Sequence, residues 1–361
     1  MVHEKRISAV RKKLDEMKLD AMLFTNLVNI RYLCGYTGSN GMLLVTKEDS
    51  LFLTDFRYKT QIETEVKGAE RIVPEDGRLL VALAGRPEIE TVGELGFENS
   101  IKYNELQITQ KLLPTQINWV PVENFVAQMR WVKTSDEVGR IRKAIEVAEH
   151  ALTDSLDYLR PGISEMEFAA EVEYRMRKGG AEKPAFDTIV VSGRRSALIH
   201  GIASPKVIEH GDFVTIDYGA KVHGYNSDIT RTFIMGEPTP KQREIYELVY
   251  EAQTSTIKGI RPEMAGSEID GIARKIIDDG GYGEYFGHGL GHGLGLEVHD
   301  NQGVGSRSEN IIPKGSVITV EPGIYVPGIG GVRIEDDVLV EESGASVLTT
   351  LPKDIENAII E

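Results

Sequence analysis

Gly211 to Gly219 reads GDFVTIDYG, and Gly315 to Gly323 reads GSVITVEPG. In each, glycine opens an apolar, β-rich run that closes on an acid, one further residue and a second glycine, the composition of a buried strand. A second matching pair lies upstream: RPGISEMEFAAEVEYRMRKGG, Arg160 to Gly180, and RPEMAGSEIDGIARKIIDDGG, Arg261 to Gly281. Both begin Arg-Pro and end Gly-Gly after a helical stretch. Each offers a serine cap with an acid three residues later, Ser164 with Glu167 and Ser267 with Asp270. Helix and strand recur in the same order, so this part of the chain reads as a duplication whose halves pack around a shared sheet. The equivalent acids, Asp217 and Glu321, are expected to face a common site.

Outward from the duplication, the first third has a different pattern. Ile7, Val10, Leu14 and Met17 recur at helical spacing, and AMLFT, GMLLVT and SLFLTD read as short strands. This is an α/β domain over residues 1–130, followed by a second domain over 131–361 that opens with an amphipathic helix, Asp136 to Leu159, ended by Arg160-Pro161-Gly162. Two domains also suit a chain of 361 residues with 41% hydrophobic content. Thr239-Pro240-Lys241-Gln242 reads as a helix start with proline in the first turn, and Arg194-Arg195 as a solvated turn. Fifty-six acidic against 41 basic residues give a net charge of -15, which argues against nucleic acid as a partner. No apolar run approaches the ~20 residues of a membrane span. The charged amino terminus lacks the apolar core of a signal peptide, and the single cysteine, Cys34, forms no intrachain disulfide; a cytoplasmic protein is expected.

The acids at the strand ends carry the chemistry. A lone carboxylate at the end of Val214, Thr215 and Ile216 is expensive to bury, so Asp217 needs a partner. In the next strand, NSDITRTF, alternation puts Asp228, Thr230 and Thr232 on one face, and a hairpin through Lys221 to Tyr225 brings Asp228 beside Asp217. The second half repeats this with Glu321 of VITVEPG and Glu335 of GGVRIEDDVLV, although Asp336 and Asp337 follow Glu335 and spacing does not choose among them. Adjacent carboxylates repel unless they share a proton or a cation.

Between these strands lies GHGLGHGLGLEVHD, Gly287 to Asp300, with three histidines and five glycines in fourteen residues. His288 and His292 have the spacing of a zinc-binding helix, but each glycine costs a helix about 1 kcal/mol relative to alanine, so any ligand comes from an extended or looped segment. A strand-end aspartate is far more often a turn residue than a ligand, and an isolated histidine is more often structural. Four carboxylates in a duplicated pattern plus a histidine nevertheless form a mixed oxygen and nitrogen set suited to Mn²⁺, Co²⁺, Zn²⁺ or Fe²⁺. Their charge favours two divalent ions, which can activate water and polarise a carbonyl, so hydrolysis is the expected reaction.

At these residues the sequence resembles the metallopeptidases of the pita-bread fold, the group containing aminopeptidase P, prolidase and methionine aminopeptidase. Asp217, Asp228, His292, Glu321 and Glu335 match its ligand types in order, with separations of 11, 64, 29 and 14 residues. The resemblance covers most of the chain. It implies a creatinase/prolidase-type α/β amino-terminal domain and an α+β pita-bread domain with an internal pseudo-two-fold duplication. It further implies that Asp228 and Glu335 bridge two metal ions, Mn²⁺ first among them, that Asp217 completes one site, and that His292 and Glu321 complete the other. By the same resemblance His200 and His299 act on the scissile bond, Glu321 also transfers the proton of the attacking water, and His288 lines the substrate pocket. Tyr225 and Arg333, beside the ligand strands, are candidate substrate contacts.

Within the group, NIRYLCGYTGSNGMLLV, Asn29 to Val45, and LTDFRY, Leu53 to Tyr58, resemble aminopeptidase P. The implied reaction is release of the amino-terminal residue from Xaa-Pro peptides by a metal-activated hydroxide; a prolidase restricted to Xaa-Pro dipeptides is the alternative. A creatinase-like hydrolase or a non-catalytic peptide- or protein-binding module would lack part of the ligand set. Proline removes an amide N–H and fixes φ, so such a substrate calls for a shaped pocket. The family also implies a homodimer. Two stretches depart from its pattern: Ile199 rather than proline precedes His200, and Asp300 to Val304 replaces an acidic, proline-rich run followed by arginine.

Overall fold

The computed structural model describes residues 2–300 and 303–361. Asn301 and Gln302, within the Asp300–Val304 run, lie outside the described residues. Two compact units divide the chain, Met1–Arg130 and Trp131–Glu361.

In the first unit, helical periodicity puts Ile7, Val10 and Leu14 on the buried face of the helix Val2–Met17. The three β-rich runs form the strands Ala21–Phe24, Met42–Thr46 and Ser50–Leu53. They belong to a six-stranded mixed sheet in the order Glu70–Ile72, Ser50–Leu53, Met42–Thr46, Ala21–Phe24, Glu94–Glu98, Asn118–Val122. Leu23, Leu44, Leu51 and Leu95 pack its core. Cys34 is buried at the end of the helix Leu27–Cys34, and burial pushes its thiol up to about 12.

The second unit opens with the helix Ser135–Ser155, capped reciprocally by Thr134 and Glu137. The chain leaves α geometry before Leu159, through a 3-10 turn at Leu156–Tyr158. Tightening of the last turn, with Pro161 just beyond, accounts for the earlier end. The duplicated helices are Glu165–Lys178 and Gly266–Asp279. Ser164 and Glu167 form the expected reciprocal cap.

The second helix departs from expectation. Its cap position is Ala265, not Ser267, and the Glu268 carboxylate accepts the Ala265 N–H at 2.8 Å. Asp270 instead pairs with Arg274 at 2.7 Å and accepts the Leu290 N–H at 3.1 Å. A capping hydroxyl is dispensable because neighbouring chain takes over: the Gly266 and Ser267 amides donate to the carbonyls of Asn310 and Ser308. Arg195 is also not a solvated turn residue, since it pairs with fully buried Glu165 at 3.1 Å. Thr239 and Gln242 cap the helix Pro240–Gly259 as a reciprocal pair, with Pro240 in its first turn.

Phe213–Tyr218 pairs antiparallel with Ile229–Met235, placing Asp217 opposite Thr230. Val317–Val320 pairs antiparallel with Asp336–Glu341, placing Val320 opposite Asp336. The halves join where the Glu335 amide donates to the Thr230 carbonyl and the Arg333 amide to Thr232 Oγ1, each at 3.1 Å. This junction turns the acidic strand ends toward one another. Behind it, Ile234, Val249, Ile269, Ile318 and Val338 belong to a single apolar core. No helix among the described residues is long and apolar enough to cross a membrane.

Candidate metal centre

Asp228, His292 and Glu335 bring one ligand atom each within 4.8 Å of one another. His292 Nε2 lies 3.6 Å from Asp228 Oδ2 and 3.5 Å from Glu321 Oε1. Asp217 stands on the strand paired with the one that follows Asp228, held by Arg333 Nη2 at 2.7 Å. Arg333, from the other half, is thus the partner that Asp217 required. Asp217, Asp228, His292, Glu321, Glu335, His200, His288, His299 and Arg333 all line one cavity of about 580 Å³.

Local sequence explains the close approach. His292 sits in the short strand Gly291–His292, paired with Gly303–Val304 and not part of any helix. A Cβ on Gly291 would collide with the Thr319 carbonyl, so glycine allows the loop to lie against the strand leading to Glu321. Thr319 Oγ1 accepts the His292 N–H at 3.0 Å and donates to Glu321 Oε1 at 3.3 Å, tying the two side chains to one hydroxyl. Across the cluster, Thr230 Oγ1 donates to Glu335 Oε2 at 2.7 Å and accepts from Arg333 Nε at 3.1 Å.

The electrostatics call for a cation. Burial, with neighbouring carboxylates adding to it, raises Asp228 and Glu335 well above the usual carboxylate range. Burial pushes Glu321 up to about 8, against the opposing pull of Arg333. Burial, then the adjacent His299, lowers His292 to about 4, so its imidazole is neutral at pH 7. With Nδ1 donating to the Gly293 carbonyl at 3.1 Å, Nε2 turns a lone pair toward the carboxylates. Asp217 Oδ1 and Glu335 Oε1, both buried, have no hydrogen-bond partner among the described residues. A lone pair and orphaned carboxylate oxygens converging on one space fit divalent cations.

The triple acid at residues 335–337 is sorted by the fold. Asp336 turns to the opposite face and binds Arg231 at 2.8 Å, Thr349 at 2.6 Å and Lys353. Asp337 accepts the Asp228 amide at 3.2 Å, and Glu335 alone of the three lines the cavity.

The remaining histidines differ in setting. The His299 ring lies 4.1 Å, centroid to centroid, from that of His292. His200 is exposed at the mouth. Burial lowers His288 to about 4; its Nδ1 donates to the Gly289 carbonyl at 2.7 Å and its Nε2 accepts the Tyr325 hydroxyl at 2.9 Å. Tyr325 in turn accepts Arg333 Nη1 at 3.0 Å. Arg333 is therefore committed to Asp217, Tyr325 and Thr230, a support for the cluster. Tyr225 is not brought to the cavity: its buried hydroxyl donates to Glu137 Oε1 at 2.8 Å.

Sequence reasoning missed the apolar wall, Phe186, Ile189, Ile202 and Val298, and the supporting Thr230, Thr319 and Tyr325. Alternation in NSDITRTF did place Thr230 on the face of Asp228; the wall residues have no comparable signal.

Residues 139–342 match the model of metallopeptidase family M24, and residues 6–132 match that of the creatinase/prolidase N-terminal domain. The chain belongs to metallopeptidase family M24. It is 40% identical to the Xaa-Pro dipeptidase of Pyrococcus horikoshii, over 98% of this chain and 99% of that protein. Among solved structures it is similar to the Xaa-Pro dipeptidase from Bacillus anthracis, at 42% identity and a TM-score of 0.95, covering 99% of this chain and 100% of that one. The X-Pro aminopeptidase from Thermotoga maritima is similar at 37% identity and a TM-score of 0.90, covering 96% and 100%. This M24 chain is thus a metal-dependent peptidase in which a creatinase-type domain precedes a pita-bread domain.

Proposed function

We propose that this M24 peptidase hydrolyses the bond preceding proline, releasing the amino-terminal residue from Xaa-Pro peptides. The observation that carries the reading is the convergence of four carboxylates and the neutral His292 at an apolar-walled cavity, with buried oxygens of Asp217 and Glu335 left for a cation. Asp217, Asp228, His292, Glu321 and Glu335 would hold two divalent ions. When bound, these supply Lewis acidity and lower the pKa of water. Glu321 accepts and returns the proton of the attacking water, with Thr319 fixing one of its oxygens. His299 and His200 stabilise charge at the scissile bond, and His288 shapes the pocket as a fixed neutral imidazole. Mn²⁺ as the ion, a homodimeric assembly and a cytoplasmic setting complete the proposal; the first two rest on the family resemblance, the last on the single buried cysteine.

A strict dipeptidase is the second reading, favoured by the names of the Pyrococcus horikoshii and Bacillus anthracis relatives. Mass-spectrometric digestion of an Xaa-Pro-Xaa tripeptide and an Xaa-Pro dipeptide, with Mn²⁺ or Co²⁺ and a chelator control, separates the two. Release of Xaa from the tripeptide, abolished by the chelator, supports the aminopeptidase. Cleavage of the dipeptide alone supports the dipeptidase, and cleavage of neither by metal-loaded protein rejects the Xaa-Pro assignment.

A further inference from the structure

Ile202 is 79% exposed, yet it lines the same cavity as the ligand candidates. Leu198, 48% exposed, lies four residues before it, so two open apolar side chains flank in sequence His200, which lines the cavity with Ile202. The backbone that presents them is pinned. Fully buried Glu165 accepts the amide and hydroxyl of Ser192 at 2.8 and 2.9 Å, and those of Ser204 at 3.1 and 2.7 Å. It also pairs with Arg195, whose Nη2 donates to the Ile202 carbonyl at 2.7 Å. The Gly201 amide closes a turn onto the Leu198 carbonyl at 3.0 Å. One buried carboxylate thus anchors both flanks of the segment, leaving large apolar side chains facing water on fixed backbone. Apolar surface presented in this way binds with little further loss of freedom.

We propose that Leu198 and Ile202 form an apolar lip that binds the side chain of the residue after proline, favouring peptides longer than a dipeptide that carry an apolar residue there. The inference rests on the Xaa-Pro reading of this site. An enzyme that removes a single amino-terminal residue takes a substrate of fixed length on that side of the scissile bond. Only the carboxyl-terminal side varies in length, so that side leaves the cavity and meets its mouth. The ligand residues of the floor mark where the scissile bond must reach, and the apolar mouth suits the side chain after proline.

The test uses the full metal-loaded chain with Ala-Pro, Ala-Pro-Gly and Ala-Pro-Leu, comparing wild type, Ile202→Ser and Leu198→Ser. The ratio of kcat/KM for Ala-Pro-Leu over Ala-Pro-Gly is read within each protein, so a general change in turnover cancels. Wild type should favour leucine by about three- to tenfold, expressed in KM, since each buried methylene changes binding by roughly a factor of four. Ile202→Ser should bring the ratio close to one, with a smaller fall for Leu198→Ser. A wild-type ratio near one, or a ratio that survives Ile202→Ser, overturns the lip. Cleavage of Ala-Pro but neither tripeptide overturns the lip while leaving prolyl-bond hydrolysis intact; cleavage of none overturns both. A change of oligomeric state in Ile202→Ser by gel filtration would make the patch a subunit contact and also overturn the subsite.

Discussion

Thr230→Val is the most informative single change, because it keeps the side-chain shape and removes one hydroxyl that touches the cluster from behind. That hydroxyl donates to Glu335 Oε2 at 2.7 Å and accepts from Arg333 Nε at 3.1 Å. Its loss leaves Glu335 without that donor and the guanidinium that holds Asp217 without that acceptor. A hydrogen bond to a charged group contributes about 1.5–3 kcal/mol, which corresponds to a factor of roughly 10 to 150 in affinity. Removal of hydrogen bonds that support metal ligands typically weakens binding by about 10- to 100-fold, the same range. The assay is calorimetric titration of chelator-stripped protein with Mn²⁺, accompanied by a thermal melt to show that the fold persists. Affinity within twofold of wild type in a folded Thr230→Val protein would refute the assignment of Glu335 as a ligand oriented by Thr230.

The same geometry sets other expectations. His292→Ala should lower bound metal and activity together, whereas His299→Ala should retain metal and lose turnover; equal metal loss in both, by elemental analysis, would undo the division of roles. Arg231→Met should destabilise the catalytic unit by about 1.5–3 kcal/mol in denaturant melts, because buried Asp336 would lose its guanidinium partner while keeping Lys353 and Thr349. Cys34 should resist alkylation at pH 8 in the native protein and react on unfolding, since burial pushes its thiol up to about 12. Because unfolded Cys34 loses its proton near pH 9 while the folded thiol keeps it, this group's contribution to stability should fall as pH rises through 9 toward 12; labelling that is equally fast before and after unfolding would contradict its burial.

Much of the site was legible because the duplication repeats a costly feature. One acid at the end of an apolar run has many ordinary explanations, but Asp217 and Glu321 recur with their strands, and Asp228 and Glu335 with theirs. Glycine density in Gly287–Asp300 likewise excluded a helix, and His292 stands in a two-residue strand. The Ser267 cap failed because the sequence carries no sign that the Asn310 and Ser308 carbonyls arrive at the first turn of the helix. Tyr225 failed as a pocket residue for a similar reason: adjacency to a ligand strand does not say that Glu137, far away in sequence, receives its hydroxyl.

Alternation and charge in the sequence by themselves determined which residues belong on one face of a strand and that buried carboxylates there need compensation. Only the tertiary structure decided among Glu335, Asp336 and Asp337. Arg231 and Lys353 claim Asp336 from one side, the Asp228 amide holds one oxygen of Asp337, and Glu335 alone of the three lines the cavity. The reason is physical. Face and period are local properties of a strand, whereas the charge that settles a buried acid comes from chain distant in sequence, and its position exists only once the two halves have packed.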